Sequence, residues 1–231
     1  MRIKSNQLAL ILNIETATKN CSVSIAKNGK TIVLKELNDG NYSHAEKLHE
    51  FIKYVTEKAG IELTDLKAVA VSKGPGSYTG LRIGVSAAKG LCFALNIPLI
   101  AVNTLESLAQ SISIAEGLII PLLDARRMEV YSGVFNKQNE MIREIKAEVI
   151  DNTSFNNYLT RNNIYFLGDG AEKCKSIITH KNAIFMEDKF PSAKEMGKLS
   201  FEKYQKNEIE NVAYFEPFYL KDFVAAKPKK S

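Results

Sequence analysis

The chain has 231 residues, of which 45% are hydrophobic, and a formal net charge of +5 at pH 7. This length and composition predict a globular protein made of one domain or two small subdomains. Its three cysteines, Cys21, Cys92 and Cys174, form no CxxC pair, which argues against a disulfide framework or a zinc site and favours a reducing compartment.

The first predicted elements are the strands of a β-meander. The apolar run that begins it is too short to span a membrane, and it has no small-residue cleavage site. We therefore expect a buried first strand at 8–14 in a cytoplasmic protein with no membrane partner. A second strand at 21–26 and an Asn28-Gly29 turn lead into a third strand at Lys30–Leu37.

A helix follows the meander. Ser43 and Glu46 have the spacing of a capping box, and Gly60 is placed to end the helix. His44 and His49 lie on this helix, but their side chains point about 140° apart, so they cannot bind one metal ion. We predict no metal site here.

Residues 72–84 read SKGPGSYTGLRIG, a glycine-dense turn from a strand into a second helix. Gly74 and Gly76 favour a tight turn, and Ser77 or Thr79 can cap the helix. The spacing fits neither a Walker loop nor a dinucleotide-binding fingerprint. The turn therefore matches neither of these phosphate-binding motifs.

The second helix, predicted over 80–95, is apolar or small on nearly every side. Such a helix is normally covered on more than one face. Gly80, Gly84 and Ala87 form a strip of small residues along which another helix can approach closely. The strip packs either on the first helix of this chain or on a partner, and both alternatives stay open.

The order of predicted elements then begins again. Three strands, a helix, a strand and a helix lead to a strand at Pro98–Val102, and after a helix at Thr104–Ser113 a new strand starts at Leu118–Asp124. This order predicts an α/β protein of the actin-like (ASKHA, ribonuclease H-like) class. We expect two packed subdomains, 1–107 and 108–231, each with a mixed sheet and flanking helices. The remaining predicted elements are strands at Met128–Phe135, Met141–Val149 and Asn163–Leu167, a Gly168-Asp-Gly170 turn and a helix near 192–205.

Two acidic turns carry the candidate nucleotide-binding residues. Glu15, Thr16 and Thr18 lie between the first two strands, where actin-like kinases have a phosphate-binding hairpin, and Asp124 can supply the matching turn of the second half. Ala17 replaces the glycine that permits close backbone approach in such hairpins. The alternative is that the hydroxyl groups only satisfy a hairpin turn.

No catalytic centre is predicted. The sequence has no convincing Ser-His-Asp order, carboxylate pair or cysteine–histidine pair. The basic tail at Lys227–Lys230 can contact nucleic-acid phosphates, although such a tail is more often a solvated chain end.

Several of these segments resemble the bacterial TsaB (YeaZ) family, the dimerisation subunit of the machinery that makes tRNA threonylcarbamoyladenosine. After about residue 140 the resemblance is limited to Gly168–Gly170 and Pro217–Leu220. The segments that carry it are Ile14–Thr18 with Cys21–Val23, the helix from His44, Lys73–Gly84, Pro98–Leu105 and Asp124–Tyr131.

The resemblance implies an actin-like fold that has lost catalysis and supports a catalytic paralogue, TsaD. That paralogue transfers a threonylcarbamoyl group to the adenosine beside the anticodon of tRNAs that read A-starting codons. Further implied partners are the ATPase subunit TsaE, a second copy of the chain when it is alone, and tRNA only through the complex. No cofactor is required by the chain itself, and the complex interface is a candidate site for ATP or ADP; whether nucleotide also binds within this chain stays open. The expected interface residues are His44, Leu48, Gly80, Arg82, Ile83, Gly84 and Ala87.

Two other functions stay open. One is an ATP-dependent transferase or kinase of the actin-like class that acts alone, with Glu15, Thr16 and Asp124 around a nucleotide and a metal. The other is a protease that acts on its paralogue, for which the sequence offers no nucleophile arrangement. The non-catalytic subunit is the leading hypothesis.

Overall fold

The computed structural model describes residues 8–40 and 43–221. These residues form two five-stranded mixed sheets with helices packed beside them. None of the helices in the described ranges is both long and apolar enough to cross a membrane. The basic tail at Lys227–Lys230 lies outside the described residues.

The first sheet begins with an antiparallel meander, to which two parallel strands are added. The elements are β1 (Leu10–Glu15), β2 (Cys21–Lys27), β3 (Lys30–Leu37), helix α1 (His44–Ala59), β4 (Ala68–Gly74), helix α2 (Tyr78–Leu95), β5 (Leu99–Asn103) and helix α3 (Thr104–Ala109). The strand order is β3-β2-β1-β4-β5, and β4 and β5 run parallel to β1. Helices α1 and α2 share one apolar core with this sheet.

The second sheet repeats this topology. Its elements are β6 (Leu118–Asp124), β7 (Glu129–Phe135), β8 (Met141–Val149), helix α4 (Asn156–Leu159), β9 (Ile164–Leu167), helix α5 (Ala171–Lys175), β10 (Ala183–Met186) and helix α6 (Ala193–Lys206). The order β10-β9-β6-β7-β8 again places a meander beside two strands parallel to its first strand. Two sheets of this one topology confirm the predicted actin-like α/β class.

Helix α6 follows the second sheet in the sequence but packs on the first. Its buried Met196 and Leu199 share a cluster with Ile11 of β1, on the face of the sheet opposite α1 and α2. The division into 1–107 and 108–231 stays a prediction. Helix α6 belongs to the second range in the sequence but packs on the sheet of the first.

Most predicted elements agree with the structure, because their local signals are strong. The strand at Lys30–Leu37 is confirmed to the residue, and Asn28 and Gly29 both have positive φ. The capping box at Ser43 is wrong, since the Ser43 side chain makes no cap hydrogen bond. Its carbonyl oxygen instead accepts the hydrogen bonds from the amides of Glu46 and Lys47. The short elements α4, α5 and β10 have no counterpart among the predicted elements.

Candidate functional site

Three glycines of α2 and the turn before it let the β1–β2 turn lie directly against the helix. A Cβ atom on Gly76 would lie 2.4 Å from the carbonyl oxygen of Ala17. Cβ atoms on Gly80 and Gly84 would lie 2.1 and 2.2 Å from oxygen atoms of Thr16. Real Cβ atoms essentially never approach a neighbour within 3.0 Å, so the chain needs glycine at positions 76 and 80, which face backbone oxygens. At Gly84 the neighbour is the Thr16 hydroxyl, which a Cβ atom would displace from its present position. The glycine-dense motif thus serves close packing within the chain.

This packing corrects part of the predicted interface. Gly80 and Gly84 are buried beneath the β1–β2 turn, so they cannot form the surface of an interface. Gly80 also faces the side chain of His44 on α1. His44 is 1% exposed, and its Nε2 lies 2.7 Å from the carbonyl oxygen of Thr18. Leu48 is fully buried in the core. These four residues hold α1 and α2 to their own sheet.

On the outer side of α1 and α2 lies a groove that residues 8–40 and 43–221 leave uncovered. We call it the α1–α2 groove, and its volume is about 630 Å³. Three of the predicted interface residues, Arg82, Ile83 and Ala87, line this groove. Ile83 and Ala87 are half-buried. The groove is lined by Ala45, His49, Arg82, Ile83, Ser86, Ala87, Gly90 and Leu91.

A larger cleft of about 1420 Å³ is lined by turns of both halves. Thr18 from the β1–β2 turn and Asp124 from the end of β6 both line it. The start of α2 and the Gly168-Asp169 turn line it as well. The structure therefore brings two of the four candidate nucleotide-binding residues to one cavity.

The other two candidates, Glu15 and Thr16, are buried beneath the β1–β2 turn. Glu15 Oε1 accepts a hydrogen bond of 2.7 Å from the amide of Ala17. Burial raises the pKa of Glu15 to about 7, because a carboxylate away from water is costly. The Thr16 hydroxyl donates a 2.8 Å hydrogen bond to the carbonyl oxygen of Gly80. Glu15 thus binds within the hairpin, while Thr16 ties the hairpin to α2.

Lys173 contacts three residues that line the cleft, and sequence reasoning missed it. Its Nζ donates hydrogen bonds to Asp124 Oδ1 and to the carbonyl oxygens of Arg127 and Glu129. Asp169 Oδ1 in turn accepts a 3.0 Å hydrogen bond from the amide of Asp124, and burial raises the pKa of Asp169. The Gly-Asp-Gly turn before α5 was the one signal that could have placed Lys173 near this site.

The segment after α6, residues 207–221, crosses α2 and reaches the cleft; we call it the C-terminal strap. Lys89 of α2 donates hydrogen bonds to two carbonyl oxygens in the middle of the strap. Arg82 donates a hydrogen bond of 3.3 Å to the Tyr219 hydroxyl. Near its end, Lys221 forms an ion pair with Glu129 of β7. The strap therefore contacts both halves of the molecule.

Within residues 8–40 and 43–221, no group of three or more histidine, cysteine, aspartate or glutamate side chains is placed to hold a metal ion. His44 is buried and His49 is exposed. The two histidines therefore lie on different faces of α1, as their spacing predicts.

Two sheets of one topology beside a shared cleft define an α/β protein of the actin-like class. The family model described as "TsaD: tRNA N6-adenosine threonylcarbamoyltransferase" matches residues 39–229. The chain is 30% identical to the tRNA threonylcarbamoyladenosine biosynthesis protein TsaB of Buchnera aphidicola subsp. Schizaphis graminum, over 87% of this chain and 97% of that protein. It is 28% identical to TsaB of Haemophilus influenzae, over 94% and 95% of the two chains.

A solved structure agrees with these relatives. YeaZ from Pseudomonas aeruginosa is 25% identical, with a TM-score of 0.75 over 92% of this chain and all of that one (100%). The chain belongs to the TsaB (YeaZ) family of tRNA threonylcarbamoyladenosine biosynthesis proteins, which confirms the resemblance seen in the sequence.

Proposed function

We propose that this chain is a non-catalytic dimerisation and scaffold subunit for a catalytic paralogue, TsaD. The complex installs threonylcarbamoyl on the adenosine next to the anticodon of tRNAs that read A-starting codons. The observation that carries the proposal is the α1–α2 groove, an apolar helix face left uncovered in an otherwise packed subdomain. The match to the transferase family model supports a partner of the same fold.

The groove has the side chains that helix-to-helix docking requires. Ile83, Ala87 and Leu91 follow one another at intervals of four residues, so they form a single apolar stripe along α2. Small residues beside the stripe, Ala45 and Gly90, allow a second pair of helices to approach closely. A paralogue offers an equivalent pair of helices, and the two faces can then pack about a pseudo-twofold axis.

The cleft supports a subunit that has no reaction of its own. The Thr16 hydroxyl is bonded to Gly80, and the Asp124 carboxylate is bonded to Lys173. These groups already have partners within the chain, so they are poorly placed to hold a nucleotide and metal. In our proposal ATP or ADP binds at the complex interface.

The remaining partners follow from the same proposal. The ATPase subunit TsaE joins the complex, and tRNA contacts it through the complex rather than through this chain alone. In the absence of the paralogue a second copy occupies the groove, because its two helices present the same face. The site of action is the cytoplasm, where tRNA is modified.

A single charge in the groove tests the proposal. We expect Ala87→Glu to weaken binding to the purified paralogue at least ~10-fold, since a buried, unpaired carboxylate costs more than the ~1.4 kcal/mol that this factor represents. The measurement is the mass of the eluted species by size-exclusion chromatography with light scattering, over a range of concentrations.

Ala115→Glu is the matched control, because Ala115 is an exposed alanine that does not line the groove. It should assemble like the wild type, and circular dichroism should show that both variants are folded. Unchanged assembly of Ala87→Glu, or equal loss in both variants, contradicts the proposed docking face.

The rival function is an actin-like transferase or kinase that acts alone. Asp124 lines the cleft and has a half-exposed side chain, so it is the residue on which such activity would depend. ATP turnover by the purified chain that disappears in Asp124→Asn would favour the rival. We expect no turnover above the level of that variant.

A further inference from the structure

The β6–β7 turn gathers three oxygen atoms around one ammonium group. Lys173 Nζ donates to Asp124 Oδ1, to the Arg127 carbonyl oxygen at 2.8 Å and to the Glu129 carbonyl oxygen at 2.7 Å. An ammonium group has three protons, so each proton has an acceptor. The Lys173 side chain is 21% exposed, and the three residues that accept its hydrogen bonds all line the cleft.

The turn has an unusual backbone that presents these oxygens. Arg126 and Arg127 both have positive φ, 72° and 51°, in the left-handed region that is unfavourable for a non-glycine residue. Asp124 Oδ1 also accepts a 2.9 Å hydrogen bond from the Arg126 amide. The result is one carboxylate and two carbonyl oxygens directed at a single point.

Oxygen atoms of this kind are the ligands of hard divalent cations. Mg²⁺ and Ca²⁺ bind carboxylates and backbone carbonyls, and Mn²⁺ shares this preference. The carboxylate of Asp169 lies directly behind Asp124, where it accepts the Asp124 amide. The centre of this set of oxygens is filled by a cation that belongs to the chain.

We propose that the Lys173 ammonium is a built-in cation, which occupies a divalent-cation position behind the wall of the cleft and keeps metal ions out of it. A metal ion at this point has no free oxygen ligands and is repelled by the positive charge of the lysine. The inference deepens the proposed function, on which it rests: it names the residue that prevents metal-assisted chemistry in the cleft of a scaffold subunit.

Removal of the ammonium group should open the position. Lys173→Met keeps an unbranched side chain and removes the charge. We expect the wild type to show no saturable Mn²⁺ binding, and Lys173→Met to bind one Mn²⁺ per chain with a Kd of about 10⁻⁴–10⁻³ M, the range of weak oxygen-ligand sites. Electron paramagnetic resonance measures this directly, because the signal of free Mn²⁺ falls as the ion binds.

Two further variants locate the ion. Lys175→Met is the matched control: Lys175 lies on the same short helix, but its ion pair is with Glu187, so this variant should bind no Mn²⁺. In the Lys173→Met background, Asp124→Asn removes the one charged ligand and should abolish most of the gained affinity. Saturable Mn²⁺ binding by the wild type, no binding by folded Lys173→Met, or binding that survives Asp124→Asn would each overturn the proposal.

A measurement on the wild type covers the case in which Lys173→Met does not fold. Reductive methylation followed by peptide mass spectrometry should modify Lys173 more slowly than Lys175, since all three protons of Lys173 are engaged. Equal rates would contradict the built-in cation. Assembly of Lys173→Met with the paralogue is measured separately and should persist, because Lys173 does not line the α1–α2 groove; the two proposals can therefore fail independently.

Discussion

Glu15 is a carboxyl group whose surroundings oppose its ionisation. It is fully buried at the end of β1, and its pKa is raised to about 7 by that burial. Hydrogen bonds from the Ala17 and Thr16 amides and from Ser72 act in the opposite direction, but they do not offset the lost hydration. The group therefore changes its protonation state near neutral pH in the folded chain.

This shift predicts a pH-dependent stability. The folded pKa of about 7 lies above the ordinary value of 4.5, so the folded chain binds the proton more tightly than the unfolded chain. The free energy of unfolding should therefore fall as pH rises from 4.5 to 7 and level off above that, by about 3 kcal/mol in total from this group. Urea unfolding at about pH 5 and pH 8 measures the change.

Glu15→Gln removes the titrating group and should reduce that pH dependence, because the amide stays neutral at both values. Glu50→Gln, at an exposed position of α1, is the control and should keep the wild-type dependence. An identical pH dependence in the wild type and in Glu15→Gln would show that Glu15 ionises without penalty.

At the scale of elements, α2 is defined by what lies against each of its sides. Leu81, Val85 and Cys92 are buried in the core, while the glycine side receives the β1–β2 turn and a third side forms the groove. This explains why a helix apolar nearly all round is stable in this chain: two of its sides are covered within the chain, and only the third faces the groove.

Substitution of glycine by alanine should have opposite effects on stability at two positions of α2. Gly80→Ala should destabilise the chain by about 1–3 kcal/mol, because its Cβ overlaps a backbone oxygen that cannot move freely. Gly90→Ala should stabilise it by about 0.5–1 kcal/mol, since nothing lies within 4 Å of that position and alanine favours the helix. Denaturant unfolding of both variants checks this, and equal effects would contradict the packing described.

The C-terminal strap offers a second prediction at this scale. Lys89 donates hydrogen bonds of 3.1 Å to the carbonyl oxygens of Ala213 and Phe215. Lys89→Met should therefore speed hydrogen–deuterium exchange in peptides from 207–221. Lys53→Met, in an exposed i,i+4 pair of α1, should leave that exchange unchanged. Similar exchange in both variants would mean that the strap is held by other contacts.

At the scale of the whole molecule, the two halves are not self-contained. Helix α6 covers the face of the first sheet that carries Ile11, Ile100 and Val102. Its start is also tied to that sheet by hydrogen bonds of Ser22 and Ser24 to the backbone of Ala193. A segment from beyond the second sheet thus completes the core of the first.

This arrangement predicts that fragment 1–107 does not fold alone. Without α6 it exposes a continuous apolar sheet face, which favours aggregation or a molten state. The dispersion of its nitrogen–proton NMR spectrum measures this, and addition of fragment 108–231 should restore native dispersion. A native spectrum from 1–107 by itself would show that α6 is dispensable for the first subdomain.

Much of the fold was predictable from local patterns. The alternating strands, the Asn28-Gly29 turn and the helix stop at Gly60 depend on residues that are neighbours in the sequence. The order of those elements then restricted the topology to the actin-like class. Short elements such as β10 (Ala183–Met186) escaped prediction, because four residues carry too little periodicity to identify a strand.

The site was less predictable, because contacts between distant residues decide it. The strip at Gly80 and Gly84 has the same composition whether it meets a partner or the chain's own hairpin, and only the folded chain showed that it meets the hairpin. Asp124 was identified from the sequence, but its ion pair with Lys173, 49 residues away, has no local signal. The sequence by itself determined the longer elements and the family, since both depend on local patterns. The tertiary structure alone decided which surfaces are buried and which stay free, since that depends on how distant segments pack.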